Sequence, residues 1–351
     1  MTENQAADNR QDRDLAMDTQ VNSSSQNEAG VKIETENLND LISLQNQFFQ
    51  NLEVTGKSEN TIKNYRTDLE CFNKYLVNNQ KNFSIEKVDL PQILHYGNYL
   101  QEKYQSDNSR RRRVQALRIF FDYLVGKGIF QSNLVKKIPT SPKFLDRPKP
   151  TPFSDVKTLW VYLLEQEKKT TDLAQLVVRR NQVIFLLIFG SGLKVSDIAK
   201  LSRKSINLGQ NPRVLVQPNK RDPYTVPLPE IAINVIRKYQ AQLKAMMAQQ
   251  ELAFDHLLFN ANPYRIISGG ISARGLEILF EELRTKMVLH LTPKSLRQAC
   301  IYKWLHQGHP ETLIKEWMGV APSYSLKPYR ESLKDHLYND YFLLELYKEH
   351  A

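Results

Sequence analysis

Cysteine is scarce in this 351-residue chain, which has two, Cys71 and Cys300, far apart in the sequence. The scarcity excludes a disulfide framework and the spacing excludes a metal-ligand motif, so we expect a protein of a reducing cytoplasm. No run of about 18 apolar residues is present, which argues against a transmembrane helix and a membrane partner. The opening residues, MTENQAADNR, are polar and acidic and are unlike a signal peptide.

Positive charge is in excess, because 48 Lys and Arg residues face 38 Asp and Glu residues, for a formal net charge of +10. Residues 1–36 contain three basic and eight acidic residues and carry −5, which leaves +15 on the remainder. That remainder favours a polyanionic partner. Because the first segment has few large apolar residues to offset ordering entropy, we predict a disordered acidic tail over 1–36. An acidic arm that competes with nucleic acid for the basic body is the functional alternative.

A proline-rich stretch divides the rest of the chain. PTSPKFLDRPKPTP (139–152) holds five of the 16 prolines. Proline removes backbone donors and keeps the preceding residue out of the α region. We therefore predict an extended linker over 139–152, between a body at 37–138 and a larger body at 153–351.

The first body has the pattern of a small helical domain. Apolar residues recur at helical spacing in three segments: Leu41, Leu44, Phe48 and Leu52; Ile62, Tyr65, Leu69 and Phe72; Val114, Leu117, Phe121 and Leu124. Just before the last segment comes a cluster of four arginines, which we call the arginine cluster: Arg110, Arg111, Arg112 and Arg113. Guanidinium forks match phosphate oxygens, so a nucleic-acid backbone is the expected partner. Four arginines at a helix N-terminus would oppose the helix dipole, which makes a purely structural role the weaker alternative.

The second body combines helices with a hairpin. NQVIFLLIFG (181–190) predicts an apolar helix, whereas RVLVQP (213–218) and YTVPLP (224–229) predict two short strands. The turn between these strands presents Lys220 and Arg221 at its tip.

The segment LTPKSLRQACIYKWLHQG predicts a helix with clear start and stop residues. Thr292 suits the N-cap, Pro293 the first helical position and Gly308 the end of the helix. Lys294 and Arg297 are three residues apart, so they share one face in the first turns.

Taken in order, these segments resemble the tyrosine recombinases, or phage integrases, of the Xer-like type. SENTIKNYRTDLECFNKYL and RRRRVQALRIFFDYLVGKGIFQSNLVKKI are similar to the family's helical core-binding domain, and SGLKVSDIAKL (191–201) to its first arginine box. The Lys220 hairpin and LTPKSLRQACIYKWLHQG are similar to its lysine hairpin and its H/K-x-x-R box. The intervals from Arg297 to Gly308, Gly319 and Tyr329 (11, 11 and 10 residues) also agree. The resemblance covers about 40–349.

The resemblance implies a fold that is mainly α with a small β-hairpin sheet. A helical core-binding domain would precede a mixed α+β catalytic domain. It also implies phosphoryl transfer on double-stranded DNA without a metal or nucleotide cofactor. A tyrosine oxygen would attack the scissile phosphate, form a 3′-phosphotyrosyl bond and release a 5′-hydroxyl. Because the bond energy is retained, rejoining needs no ATP.

Roles follow from the resemblance residue by residue. Tyr329 would be the nucleophile, Arg297 would clamp the phosphate, and Lys220 would give a proton to the leaving oxygen. Lys294 would donate to the phosphate or assist proton movement, and Asp197 would buttress the pocket. The arginine cluster and Arg221 would contact DNA.

Two departures from the family pattern bear on activity. Lys194 stands where the family has arginine, so the charge is kept but the planar two-point fork is lost. Val320 stands where the family has His or Trp, and valine cannot donate a hydrogen bond. Two main functions therefore stay open: a site-specific recombinase with weakened cleavage, and a catalytically silent recombinase-like DNA-binding protein acting as a regulator or partner subunit. A helical scaffold for protein partners is a third.

The C-terminal segment predicts an amphipathic helix. In RESLKDHLYNDYFLLELYKEH, one apolar stripe would be formed by Leu333, Leu337, Tyr341 and Leu344. Packing on its own domain and docking on a neighbouring protomer both stay open. The resemblance implies self-association, as a tetramer on DNA, or assembly with a related recombinase. The motifs do not separate a role in chromosome partition from DNA integration by a mobile element.

Overall fold

The structure is a computed structural model that describes residues 25–79, 85, 88–141, 147–219 and 221–350, with the backbone alone for residues 25–39. The chain forms two compact units that divide between residues 143 and 144, each with its own hydrophobic core. Helices dominate and the described strands are short and antiparallel, which confirms the predicted fold class. The finer domain boundaries at 36, 138 and 152 stay predictions.

The first unit packs amphipathic helices around aromatic rings. Its described helices are α1 (Ser25–Val54), α2 (Glu59–Asn79), α3 (Leu90–Lys103) and α4 (Asp107–Gly126), followed by a 3₁₀ turn at Leu134–Lys137. All three predicted apolar stripes lie in or against this core. Phe48 of α1 meets Phe120 of α4 at 5.4 Å between ring centroids, so the two helices share the centre of the unit.

The first helix begins earlier than predicted. α1 starts at Ser25, so residues 25–36 are helical although we assigned them to a disordered tail. The segment contains one glycine and no proline. Once the buried turns near Phe48 are fixed, each further residue adds a backbone hydrogen bond without a new nucleation cost. The remainder of the predicted tail, residues 1–24, lies outside the described residues.

The arginine cluster lies inside α4 rather than before it. Ser106 occupies the N-cap position and Asp107 is acidic in the first turn, so the four arginines begin at the fourth helical position. Asp107, not an arginine, therefore meets the positive end of the helix dipole. The dipole argument against a structural role was wrong for this reason.

The second unit surrounds one buried helix. Its elements are α5 (Phe153–Lys169), α6 (Asp172–Phe185), α7 (Val195–Ile198), β1 (Ile206–Asn207), β2 (Arg213–Val216), β3 (Tyr224–Pro227), α8 (Ala232–Gln249), β4 (Phe259–Ala261), β5 (Ile267–Gly269), α9 (Ala273–Met287), α10 (Pro293–His306), α11 (Glu311–Trp317), α12 (Lys327–Glu331) and α13 (Tyr341–His350). The antiparallel sheet order is β1-β2-β3, and β4 pairs with β5. The predicted strand pair is present, with Val214 opposite Val226 and Val216 opposite Tyr224.

The predicted apolar helix forms the centre of the second core. α6 continues through a π-helical turn, Leu186–Gly190. By length and composition, Asp172–Gly190 is the one helix among the described residues that could cross a membrane, but 67% of it is buried inside the protein. Trp160 of α5 stacks on Phe185 at 5.2 Å between ring centroids. We therefore assign it as a core helix.

The residues predicted to begin and end α10 do so in the structure. The Thr292 side chain accepts a hydrogen bond from the Ser295 backbone N–H, Pro293 opens the helix, and Gly308 follows it with φ +74°. This cap fixes where the first turns of α10 point, and those turns carry Lys294 and Arg297.

The C-terminal helix packs on its own unit in this structure. Phe342, Leu343 and Tyr347 are buried, and the Trp160 indole donates to the Leu343 carbonyl at 3.2 Å. The predicted apolar stripe was wrong, because α13 begins only at Tyr341. Leu333 and Leu337 precede the helix and do not share its face; Leu337 is 69% exposed, and Tyr341, the first residue of the helix, is 72% exposed.

Candidate active site

Three positively charged side chains converge on the C-terminal end of α11. The helix ends at Met318 and Gly319, and the last carbonyls of a helix have no partner within it. Arg297 Nη2 donates to the Met318 carbonyl at 2.7 Å, and Lys194 Nζ donates to the Gly319 carbonyl at 3.3 Å. Arg221 donates to the same Gly319 oxygen. The arrangement has the charge and the donors to hold an anion.

Arg297 is held at two points. Its Nε donates to the Gly192 carbonyl at 2.6 Å, while Nη2 reaches Met318. Gly192 has φ +61°, a left-handed turn that follows the π-helical end of α6. The guanidinium plane is thus fixed between two chain segments, as a two-point phosphate clamp requires.

Lys194 is half-buried at the N-cap of α7. Burial lowers its pKa, as do the nearby charges of Arg297 and Arg221, whereas Asp197 opposes them. The side chains of Lys194, Arg297 and Arg221 are therefore close enough to repel one another, and Asp197 is the one carboxylate among the groups that act on Lys194. An incoming phosphate would relieve this repulsion.

Tyr329 is buried close to the cations around Gly319. It lies in α12 with 5% of its surface exposed, and its ring centroid is 5.2 Å from that of Tyr302. Burial raises the pKa of Tyr329 well above its usual range, with Tyr324 acting in the same direction. The charge of Arg297 and a hydrogen bond with the Gln298 side chain act to lower it. The structure therefore brings Tyr329 within electrostatic reach of the predicted phosphate clamp.

Lys294 lies on the open side of the site. It is exposed in the first turn of α10. With Lys194 and Arg297 it lines a cleft of about 550 Å³, whose other wall is formed by α9 residues including Arg274 and Arg284. A duplex backbone entering this cleft would meet Lys294 on its way to Arg297.

Lys220 lies outside the described residues, although Arg221 and Asn219 on either side of it are described. The β2–β3 hairpin reaches the site through Arg221, which donates to the Gly319 carbonyl.

Two residues of the site were missed by sequence reasoning. Gln298 bonds to Tyr329, and the Tyr224 hydroxyl bonds to Asp197. Gln298 follows Arg297 directly, and that adjacency was the available signal. No pattern pointed to Tyr224. Val320 is half-buried against the core and, as expected of valine, supplies no donor.

The arginine cluster of the first unit is tied to protein groups. Arg112 pairs with the buried Asp68 at 3.0 Å, and burial raises the pKa of Asp68 despite the opposing arginine charges. Arg113 lies over the Tyr104 ring at 3.8 Å. Arg110 bonds to Asp107 and the Tyr104 carbonyl, and Arg111 to Asn108 and the Ser141 carbonyl. Each therefore has a structural role, and the Arg112 side chain is still 47% exposed.

Comparison with known proteins agrees with this architecture. Residues 46–128 match the family model of the phage integrase N-terminal SAM-like domain. The chain is 25% identical over 278 residues to the tyrosine recombinase XerD of Halalkalibacterium halodurans, covering 78% of this chain and 87% of that protein. It is 23% identical over 301 residues to the tyrosine recombinase XerC of Listeria monocytogenes, covering 85% and 96%.

Solved structures share the fold. XerH site-specific recombinase, bound to a palindromic difH substrate in a post-cleavage complex, superposes with a TM-score of 0.61 at 14% identity, covering 78% of this chain and 76% of that one. A lambda integrase dimer bound to a COC′ core site gives 0.58 at 15% identity, covering 83% and 76%. In sequence and in fold the chain is thus similar to the tyrosine recombinases, and its sequence relatives are of the Xer type.

Proposed function

We propose that this protein is a site-specific DNA recombinase that cuts and rejoins double-stranded DNA through a 3′-phosphotyrosyl bond to Tyr329. The observation that carries the proposal is the convergence of Lys194, Arg221 and Arg297 on backbone carbonyls beside Tyr329. In the DNA complex, the scissile phosphate replaces these carbonyls as the acceptor.

The chemistry needs positioned charge more than it needs a strong base. When the Tyr329 oxygen attacks, negative charge grows on the non-bridging phosphate oxygens, and fixed donors stabilise it. One such donor is typically worth about 10²–10³ in rate. The Tyr329 hydroxyl loses its proton as it attacks, and we propose that this proton passes to solvent with the assistance of Lys294. The 5′-oxygen leaves with a proton, for which Lys220 is the proposed source. The phosphotyrosyl bond retains the energy for rejoining to another 5′-hydroxyl.

Tyr329 is not ready to react in the free protein. Burial raises its pKa, so removing the phenol proton is harder than for an exposed tyrosine. The hydroxyl is also engaged by Gln298. α12 spans only Lys327–Glu331, and we propose that this short helix moves to bring Tyr329 to the phosphate. We propose that DNA binding drives this movement, which keeps the unbound protein inert.

The protein acts on DNA in association with other copies. The two solved structures named above are DNA complexes, one of them of a dimer. We propose a tetramer on duplex DNA, or assembly with a related recombinase, in the cytoplasm. The +15 charge of the chain beyond residue 36 favours the phosphate backbone. Arg112, about half exposed, is the best placed of the arginine cluster to add a phosphate contact.

Covalent trapping tests the proposal. DNA crosslinked to the protein in its host is recovered and sequenced, and the enriched site is built into a duplex nicked near the candidate scissile bond. Loss of the short fragment then prevents rejoining. We expect a denaturation-resistant protein–DNA adduct from the wild type and from Tyr324→Phe, and none from Tyr329→Phe. Tyr324 is the matched control because it is the neighbouring tyrosine and is 40% exposed.

The same experiment decides the alternative of a catalytically silent DNA-binding protein. That protein would bind the recovered site with a strong salt dependence and give no adduct. Lys194 and Val320 are the residues that favour it, whereas the relatives named above are recombinases.

A further inference from the structure

The hydroxyl of Tyr224 occupies the turn that gathers the cations. Tyr224 opens β3 and is half-buried. Its ring lies against Gly319 so closely that a β-carbon there would be 2.6 Å from Tyr224 Cζ and nearer still to the hydroxyl oxygen. The hydroxyl therefore lies next to the residue whose carbonyl accepts from Lys194 and Arg221.

This hydroxyl is a hydrogen-bond donor at neutral pH. Burial raises the pKa of Tyr224 to about 12, and the charge of Asp197 and a hydrogen bond with it act in the same direction. Arg297 and Arg221 act to lower it, so both arginines are close enough to influence the hydroxyl. A phenol that keeps its proton near the two arginines of the proposed phosphate site has the chemistry of an oxyanion donor.

The site lacks one donor at this position. Val320 follows Gly319 directly and cannot donate, while the Tyr224 hydroxyl reaches the same turn from the neighbouring strand. We infer that Tyr224 is a catalytic residue, whose hydroxyl donates to a non-bridging oxygen of the scissile phosphate in place of the donor that Val320 lacks. The inference rests on the proposed recombinase function.

The step makes and breaks no covalent bond. In the free protein the Tyr224 hydroxyl is engaged with Asp197. Rotation about its C–O bond redirects the proton to the phosphate oxygen as negative charge grows there. The proton stays on Tyr224, so the hydroxyl stabilises charge and takes no part in proton transfer.

Tyr224→Phe is the test, because it removes the hydroxyl and keeps the ring against Gly319. The probe is the nicked duplex carrying the recovered site. We expect adduct formation to slow by about 10²-fold, the usual cost of one oxyanion donor. We expect the dissociation constant for uncleaved DNA to change less than about twofold, because the donor acts on charge that develops only in the transition state. An unchanged adduct rate in Tyr224→Phe would overturn the inference and leave the recombinase function standing.

A modified substrate separates catalysis from positioning. The scissile phosphate is replaced by each methylphosphonate diastereomer, in which a methyl group takes the place of one non-bridging oxygen. If Tyr224 donates to that oxygen, the Tyr224→Phe defect shrinks to less than about threefold on one diastereomer and persists on the other. An equal defect on both would show that Tyr224 only positions the site, and would refute the inference. If the wild type forms no adduct on the nicked duplex, the recombinase function fails, and the role of Tyr224 fails with it.

Discussion

Gly319→Ala should damage the second unit more than any ordinary glycine replacement. Gly319 has φ +55°, where an L-residue typically costs about 1–2 kcal/mol. The new β-carbon would also overlap the Tyr224 hydroxyl, so the Tyr224 ring must shift. Overpacking of this kind adds about 1–3 kcal/mol. Together the two costs predict a loss of about 2–5 kcal/mol in the free energy of unfolding.

Gly308→Ala is the matched control. Gly308 has φ +74° but has no atom within 4 Å of an added β-carbon, so it pays the backbone cost alone, about 1–2 kcal/mol. The three tryptophans, Trp160, Trp304 and Trp317, all lie in the second unit, so urea unfolding followed by tryptophan fluorescence reports on that unit. Equal losses for the two alanine variants would refute the close approach of Tyr224 to Gly319.

Three further predictions concern other residues of the second unit. Lys194→Arg should raise the rate of adduct formation by about tenfold, because a fork replaces a point charge; an unchanged or lower rate would contradict this. Lys303→Met should cost about 1–3 kcal/mol, since it removes the 3.2 Å ion pair with Asp340, which is 22% exposed and keeps a hydrogen bond from Gln307; the exposed Lys327→Met should change stability by less than about 0.5 kcal/mol. Burial raises the pKa of the Cys300 thiol to about 12. In a Cys71→Ser variant, which leaves Cys300 as the single cysteine, native protein at pH 8 should therefore react with a disulfide reagent about 10³-fold more slowly than unfolded protein. Because folded Cys300 keeps its proton while unfolded Cys300 loses it near pH 9, this group should also lower stability as pH rises above 9.

The secondary-structure elements that depend on neighbouring residues could be predicted from the sequence. The helical stripes of the first unit, the capped start of α10 and the β2–β3 strands depend on neighbouring residues, and all of these are present, whereas the C-terminal stripe is not. The two-residue strand β1 and the β4–β5 hairpin were not predicted, because such short strands form through pairing with distant segments. α1 was predicted too short, since its extension depends on a core built by other helices.

In the site, too, residues within motifs could be predicted and contacts between distant segments could not. Motif spacing selected Tyr329, Arg297 and Lys194, and the structure brings these three together. The contact of Tyr224 with Gly319 joins residues 95 positions apart, where β3 packs against the end of α11, and no spacing rule reaches so far. The structural ties of the arginine cluster were missed as well, because Asp68 lies on another helix.

The central claim is tested most directly by the mass of the trapped DNA fragment. Wild-type protein is incubated with the nicked duplex, digested with trypsin and analysed by mass spectrometry. The account predicts that the 3′-phosphate of the cleaved strand is linked to the peptide containing Tyr329, and that Tyr329→Phe abolishes this species. A link to any other tyrosine, or tight binding to the recovered site with no adduct, would contradict it.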